Sequence, residues 1–161
     1  RVIEAGCGLV VLVNKWDLMM GPRQARSSPP SEAMLAEAVR RALPGASFAP
    51  VLAVSAKTGF QITRGLAKAL EVARARRAGL SDPEVSSILQ NAWRRQPPPR
   101  ERGRLIRLQQ ARWVSGRPIR VAITTAPIAP LPLAYQRYLL KQLHAHPRCA
   151  GIPLRLLVNK L

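Results

Sequence analysis

The sequence predicts an α/β chain in two parts, a parallel-sheet half over residues 1–79 and an α+β half over residues 80–161. Three observations predict it. Two apolar runs, Gly8–Val13 and Phe48–Val54, each break off at a polar residue, Asn14 and Ser55. Helical periodicity follows each run, so the order is strand, helix, strand, helix, that of a parallel α/β unit. After Gly79 the order becomes α-β-β-α-β, and alternating apolar and polar residues replace the solid apolar runs.

Each element has its own local reason. Gly8-Leu9-Val10-Val11-Leu12-Val13 reads as a strand buried on both faces. Gly21 to Ser31, rich in Pro, Ser, Gly and Arg, reads as a loop. Ser31 and Glu32 open a helix with a broad apolar face of Ala33, Leu35, Ala36, Val39, Ala42 and Leu43, and Pro44-Gly45 stops it. The next helix, Ile62 to Arg77, sets Ile62, Leu66, Ala69, Leu70 and Ala73 on one side, and Gly79 closes it. Ser81-Asp82-Pro83-Glu84 supplies an N-cap residue, first-turn acids and an early Pro to a helix continued by Val85, Ile88, Leu89, Ala92 and Trp93. Arg94 to Gly103, with Pro97-Pro98-Pro99 and four Arg, reads as an extended basic segment. Leu105 to Ala111 alternates as a half-exposed strand does, and Ile119 to Thr124 is a second strand. Leu133 to His144 is an amphipathic helix offering Tyr135, Tyr138, Leu139 and Leu143 to a core. Gly151 to Val158 is the last strand.

Composition bounds the partners. Hydrophobic residues make up 47% of the 161 and aromatics only 4%, so the core is built of Ala, Val, Leu and Ile. Lys and Arg number 26 against 8 Asp and Glu, a net charge of +18, and such a field attracts polyanions. The plain alternative is an Arg-rich surface with no partner at all. Residues 81–161 hold 14 basic and 3 acidic residues, net +11, against net +7 for residues 1–80. If RNA is bound, the second half is the better candidate. Cys7 and Cys149 are far apart with no ligand spacing, and His144 and His146 have no further ligands nearby, so no metal site is expected. No apolar run reaches membrane-spanning length, and no membrane partner is expected. The chain starts at Arg1, directly before a strand, and so reads as a fragment.

Asn14-Lys15-Trp16-Asp17 stands at the end of the first strand, where open α/β sheets bind ligands. Asn-Lys-any-Asp there is the guanine-specificity pattern of GTPases. An Asp carboxylate accepts from both the ring N1–H and the exocyclic amine of guanine, a donor pair that adenine lacks. Charge-assisted bonds of this kind are worth about 1.5–3 kcal/mol each. The Asn amide both donates and accepts, and so bonds the base edge and ties neighbouring loops. The Lys lays its methylene stem over the base plane. Ser55-Ala56-Lys57 ends the second strand. In GTPases the matching loop offers a backbone N–H to guanine O6, and its Ser steadies the Asp. Two such motifs in order, each ending an apolar strand, are far more specific than either alone. The candidate base-binding residues are therefore Asn14, Lys15, Asp17, Ser55, Ala56 and Lys57, for GTP or GDP.

Phosphate machinery is missing from the sequence. There is no Gly-x-x-x-x-Gly-Lys-[Ser/Thr] loop and no Asp-x-x-Gly. Phosphoryl transfer is positioning and electrostatics around phosphates and Mg²⁺, so no catalytic residue is assigned and the ligands of Mg²⁺ are expected outside this chain.

The second half carries a family resemblance. Gln96-Pro97-Pro98-Pro99-Arg100-Glu101-Arg102-Gly103-Arg104 and the strand after it resemble the entry to the C-terminal domain of the Der (EngA) double-GTPase family. Leu133-Ala134-Tyr135-Gln136-Arg137-Tyr138-Leu139 is similar to that family's Tyr-x-Arg-Tyr helix. Ala150-Gly151-Ile152-Pro153-Leu154-Arg155-Leu156-Leu157 is similar to its final strand. With the two guanine motifs, the resemblance covers nearly all of the chain. It implies a truncated P-loop GTPase half followed by a KH-like domain, and a monomer acting in maturation of the large ribosomal subunit on rRNA. Family members usually carry Pro-Pro where this chain has Arg117-Pro118. The ending from Lys141 looks closer to plastid and cyanobacterial members, which implies a chloroplast stroma or a bacterial cytoplasm. No Gly-x-x-Gly loop is present, the device by which KH domains clamp a nucleic-acid backbone. Basic residues must then contact RNA, and alternation from residue 102 would put Arg102, Arg104 and Arg107 near one exposed edge. The same Arg run could be a solvated linker, or could dock the KH-like domain on the other half. Trp16, Trp93, Tyr135 and Tyr138 read as packing residues, with Trp113 open to either role, and Arg155 as an ion-pair partner at the domain interface. A non-catalytic RNA-binding protein that keeps part of a GTPase fold is the competing reading. A related KH-bearing GTPase of the Era kind is disfavoured by the missing Gly-x-x-Gly and by the Tyr-x-Arg-Tyr helix.

Overall fold

The computed structural model describes residues 2–19 and 30–159. The Pro- and Ser-rich loop expected from Gly21 to Ser31 lies almost wholly outside them. Strand β1 (Val11–Val13) pairs in parallel with β2 (Val51–Ala53), Leu12 opposite Leu52. Helix α1 (Glu32–Ala42) makes the crossover between them. Ser31 caps it, accepting from the Met34 N–H at 3.2 Å, and Pro44 starts a short 3₁₀ turn just past its end. Helix α2 (Ile62–Ala78) follows β2 and stops at Gly79, whose φ of +65° suits a residue without a side chain.

The second half has the expected order. Helix α3 (Asp82–Arg95) leads into β3 (Arg107–Val114), β4 (Ile119–Ala126), α4 (Leu133–His144) and β5 (Leu154–Val158). The Ser81 N–H and hydroxyl both donate to Glu84 Oε2 at 2.8 Å, closing the Ser-x-x-Glu box at the start of α3. β3 runs antiparallel to β4, and β4 runs parallel to β5. Period-2 alternation sends Ala111, Val121, Ile123 and Leu154 to one face. There they meet Val85, Leu89 and Trp93 of α3 and Tyr135, Leu139 and Leu143 of α4. The Trp93 indole N–H donates to the Ile106 carbonyl at 3.0 Å. The Tyr135 and Tyr138 hydroxyls donate to the Gln96 and Ala92 carbonyls at 2.8 and 3.0 Å. These aromatics anchor the core and satisfy the end of α3. Trp113 is half-buried against the core, with its indole over Gly79, so it packs as well.

Four expectations from the sequence fail here. β1 is not buried on both faces, because among the described residues its sheet has two strands, and Leu12 keeps 47% of its surface. α1 buries no residue completely. α2 turns Gly65 and Val72 inward and leaves Leu66 and Leu70 exposed at 64% and 59%. Leu66 borders an apolar groove of about 590 Å³ between β1 and α2. Periodicity found an apolar stripe on α2 but not which side the rest of the fold would cover. Arg155, finally, is exposed on β5 and forms no ion pair among the described residues.

The two halves share one core. Val72, with Val10 and Ala75 beside it, belongs to the same apolar cluster as Leu80, Trp113 and Ile152. The Leu9 N–H donates to the Gly151 carbonyl at 2.8 Å, and the Gly151 N–H donates to the Phe48 carbonyl at 2.9 Å. Gly151 holds φ +75°, and a Cβ there would lie 2.7 Å from the Leu9 oxygen. Arg148 pairs with Glu84 and donates to the Gly79 carbonyl, clamping the corner where the halves meet. Glu84 is held below the usual carboxylate range, first by the Ser81 N–H and hydroxyl, with Arg148 helping.

His144 stacks on Phe48 with ring centroids 5.0 Å apart and bonds the Ile152 carbonyl through Nε2 at 3.0 Å. The carbonyl can only accept, so Nε2 carries a proton. Burial pushes this imidazole below its ordinary value, and the Ile152 bond opposes the shift only in part. The folded chain therefore takes up the second proton less readily than the unfolded chain, whose His titrates near pH ~6.5. Stability is fully present above that pH and falls as pH drops below it. Melting temperature is expected to decline between pH 7.5 and 5.5, and His144→Gln should flatten that decline. An equal slope in the variant would show that other groups are responsible.

Candidate guanine-binding site

β1 and β2 end side by side because they are parallel and in register, so the segments that leave them meet. The Val54 N–H donates to the Val13 carbonyl at 2.9 Å, and the Trp16 N–H donates to the Val54 carbonyl at 3.0 Å. These bonds carry the pairing past the strand ends, to Val54 on one side and Trp16 on the other. Lys15 turns the chain with φ +64°, a left-handed conformation that costs a non-Gly residue about 1–2 kcal/mol. Trp16 drops into the protein and is 9% exposed, so Asp17 is fixed from beneath by its neighbour. Residues Trp16–Met19 form a single 3₁₀ turn.

Two side-chain bonds then join the motifs. The Ser55 hydroxyl donates to Asp17 Oδ1 at 2.6 Å. The Ala56 N–H donates to Asn14 Oδ1 at 3.0 Å. Ser55 is wholly buried, and its oxygen also accepts from the Thr58 N–H at 3.3 Å. The Ser55 N–H donates to the Phe60 carbonyl at 3.0 Å, which closes the loop on itself. With Oδ1 tied to Ser55, the other oxygen of the half-buried Asp17 has no hydrogen-bond donor among the described residues. Asn14, Lys15, Ala56 and Lys57 are all exposed, so the assembly is an open shelf at the strand ends.

Of the residues singled out from the sequence, Asn14, Asp17, Ser55 and Ala56 are joined directly, and Lys15 and Lys57 flank them. The Ala56 N–H, one of the backbone donors of the Ser-Ala-Lys loop, is engaged by Asn14, because the amide oxygen lies within reach of the facing loop. Thr58 and Phe60 complete the loop, the Thr58 hydroxyl oxygen accepting from the Phe60 N–H at 3.4 Å, and neither carries a sequence signal.

The three basic candidates are not brought onto one strand edge. Arg102, at φ +48°, and Arg104 belong to a tight turn in which Glu101 and Arg104 exchange backbone bonds of 2.9 and 3.0 Å. β3 begins only at Arg107, so strand alternation does not reach the other two. All three are exposed. Among the described residues no group of three His, Cys, Asp or Glu could hold a metal ion, and no helix is long and apolar enough to cross a membrane.

Comparison with known proteins agrees with the second half first. Residues 80–159 match the family described as KH-domain-like of EngA bacterial GTPase enzymes, C-terminal. Over 158 residues the chain is 32% identical to GTPase Der of Desulforudis audaxviator, covering 98% of this chain and 34% of that protein. It is 31% identical over 160 residues to GTPase Der of Parvibaculum lavamentivorans, covering 99% and 32%. It is 35% identical over 156 residues to GTPase Der of Cereibacter sphaeroides, covering 94% and 30%. The chain thus spans about a third of the length of these curated relatives. Nearly all of it aligns with them, and the chain belongs to the Der (EngA) GTPase family.

Proposed function

We propose that this chain is the guanine-recognising and KH-like part of a GTP-binding ribosome biogenesis factor that acts on the large subunit. In this reading residues 1–79 are a truncated P-loop GTPase fold, and they read the base while phosphate and Mg²⁺ contacts are made elsewhere. The observation that carries it is the pair of bonds between the motifs, Ser55 to Asp17 and Ala56 to Asn14. Together they hold one carboxylate oxygen, an amide and two lysines on a single shelf. Asp17 accepts from the N1–H and the exocyclic amine of guanine. The base displaces Asn14 from the Ala56 N–H, which then turns to O6. Lys15 covers one base face. The net charge of +11 over residues 81–161 supports rRNA as partner, held through phosphates, with Arg102, Arg104 and Arg107 among the contacts.

The base-reading claim is testable on the chain itself. Without phosphate contacts, affinity for GDP should be no tighter than about millimolar. In an amide-resolved NMR titration, GDP should move Ala56, Asn14 and Lys57, with Ala56 moving most, and ADP should leave them in place. Hydrolysis should stay at background. Equal shifts with ADP would sink the assignment, as would a Mg²⁺-dependent turnover that survives repurification and is lost in Lys57→Ala.

A further inference from the structure

The three-stranded sheet has a second face. α3 and α4 cover one side, where Ala111, Val121, Ile123 and Leu154 lie. The outward positions are Arg107, Gln110, Arg112 and Val114 on β3, the even residues 120–126 on β4, and Arg155 and Leu157 on β5. They carry four arginines and no carboxylate. Cross-strand register places Val114, Arg120 and Arg155 in one row, and Arg112, Ala122 and Leu157 in the next. Arg112, Arg120 and Arg155 are all exposed, while Ala122 between them is only 7% exposed. A small residue thus forms the floor and guanidinium groups form the rim.

Arg120 and Arg155 stand directly opposite each other on neighbouring strands, about 4.8 Å apart at Cα. Like charges so placed repel and destabilise a sheet. None of the outward strand positions named above carries an acidic side chain, so an anion from outside would offset the pair. Arg112 sits one strand and one row away, about 8 Å from Arg120 by the same spacings. Three guanidinium groups at these separations can grip adjacent phosphates bidentately. Arg107 continues the positive line past Gln110 toward the other end of β3. Gln110 and Thr124, paired across β3 and β4, add neutral hydrogen-bonding groups that suit ribose hydroxyls.

We propose that this outer sheet face, centred on Arg112, Arg120 and Arg155, is the surface that holds the RNA phosphodiester backbone. It rests on the RNA reading given above and assigns that reading a site. The face is opposite to the α3–α4 side and distinct from the Glu101–Arg104 turn. Contact is through phosphate and sugar, so binding is tolerant of sequence. An anionic lipid surface is the less suited occupant, because the larger apolar residues on this face, exposed Val114 and half-buried Leu157, stand apart from one another.

Fluorescence anisotropy with the 161-residue chain tests it, using a labelled mixed-sequence RNA hairpin at several salt concentrations. Arg112→Gln, Arg120→Gln and Arg155→Gln together should weaken binding at least tenfold at low salt. They should also lower the slope of log affinity against log salt by about two to three, since each phosphate contact contributes about 0.9. A charge-matched control, Arg74→Gln, Arg94→Gln and Arg95→Gln, should keep most of the slope. An equal loss in the control overturns the site in favour of diffuse charge. An undiminished slope in the sheet-face variant overturns the site alone. No RNA binding by the unaltered chain overturns the RNA reading and the site together. Binding to phosphatidylserine vesicles that is lost in the variant, without RNA binding, assigns the face to lipid instead. If melting curves show the triple variant unfolded, Arg155→Gln alone carries the same measurement, with a slope loss of about one.

Discussion

Asp17→Asn is expected to turn a preference for guanine into a preference for xanthine. The geometry fixes the direction. Ser55 donates to Asp17 Oδ1 at 2.6 Å, and an asparagine in the same rotamer keeps its oxygen there because only that atom accepts from the hydroxyl. Its amide nitrogen is then turned toward the base. It would face the donors of guanine with another donor, and it would meet the 2-oxo group of xanthine with a hydrogen bond. One charge-assisted bond of about 1.5–3 kcal/mol corresponds to roughly ten- to a hundredfold in affinity. Competition between GDP and xanthosine diphosphate, followed at the Ala56 amide, measures the ratio. An unchanged ratio in the variant would place Asp17 outside the base contact. Ser55→Ala should blunt the switch, because it frees the asparagine to flip.

Leu139→Ala is expected to cost about 2–5 kcal/mol of folding stability, and Leu66→Ala less than about 0.5. Both leucines lie on apolar stripes of amphipathic helices, but Leu139 is wholly buried under the sheet and Leu66 keeps 64% of its surface. A cavity opens in the first case and only solvent-facing atoms are removed in the second. A domain of this size has about 5–15 kcal/mol in total, so the first change alone removes a large share. Denaturant midpoints of the two variants decide the matter. Comparable losses would mean that α2 packs through Leu66, against the burial found here.

The same contrast shows what the sequence makes legible. Guanine motifs are short, are read directly, and lie where parallel strands end, so their meeting was foreseeable from Val13-Asn14 and Val54-Ser55. Sequence also exposes caps such as Ser81 with Glu84, because the residues that bond are three apart. It does not expose which elements lie across a helix stripe. Leu35, Leu66 and Leu70 have the same spacing as core residues and differ only in what faces them. The expected placement of Arg102 and Arg104 on a strand fails for a related reason. Alternation was counted from the wrong start, since the Glu101–Arg104 turn delays β3 to Arg107 and a bulge at Gln109 then shifts its register. The four outward arginines of the sheet become visible as a group only once the pairing of β4 with both neighbours is known.

The core shared by Val10, Val72 and Ala75 with Leu80 and Trp113 makes the shelf at the ends of β1 and β2 and the arginine face parts of one cooperative unit. Gly79 and Leu80 are buried at the corner between them, so no solvated hinge separates the two. In such a unit a ligand that binds only the folded chain stabilises all of it. A base present at its own dissociation constant adds about 0.4 kcal/mol. That increment is felt equally by β3, β4 and β5, which the base never touches. Occupancy at the ends of β1 and β2 is thereby linked to the rigidity of the surface on which a polyanion would rest.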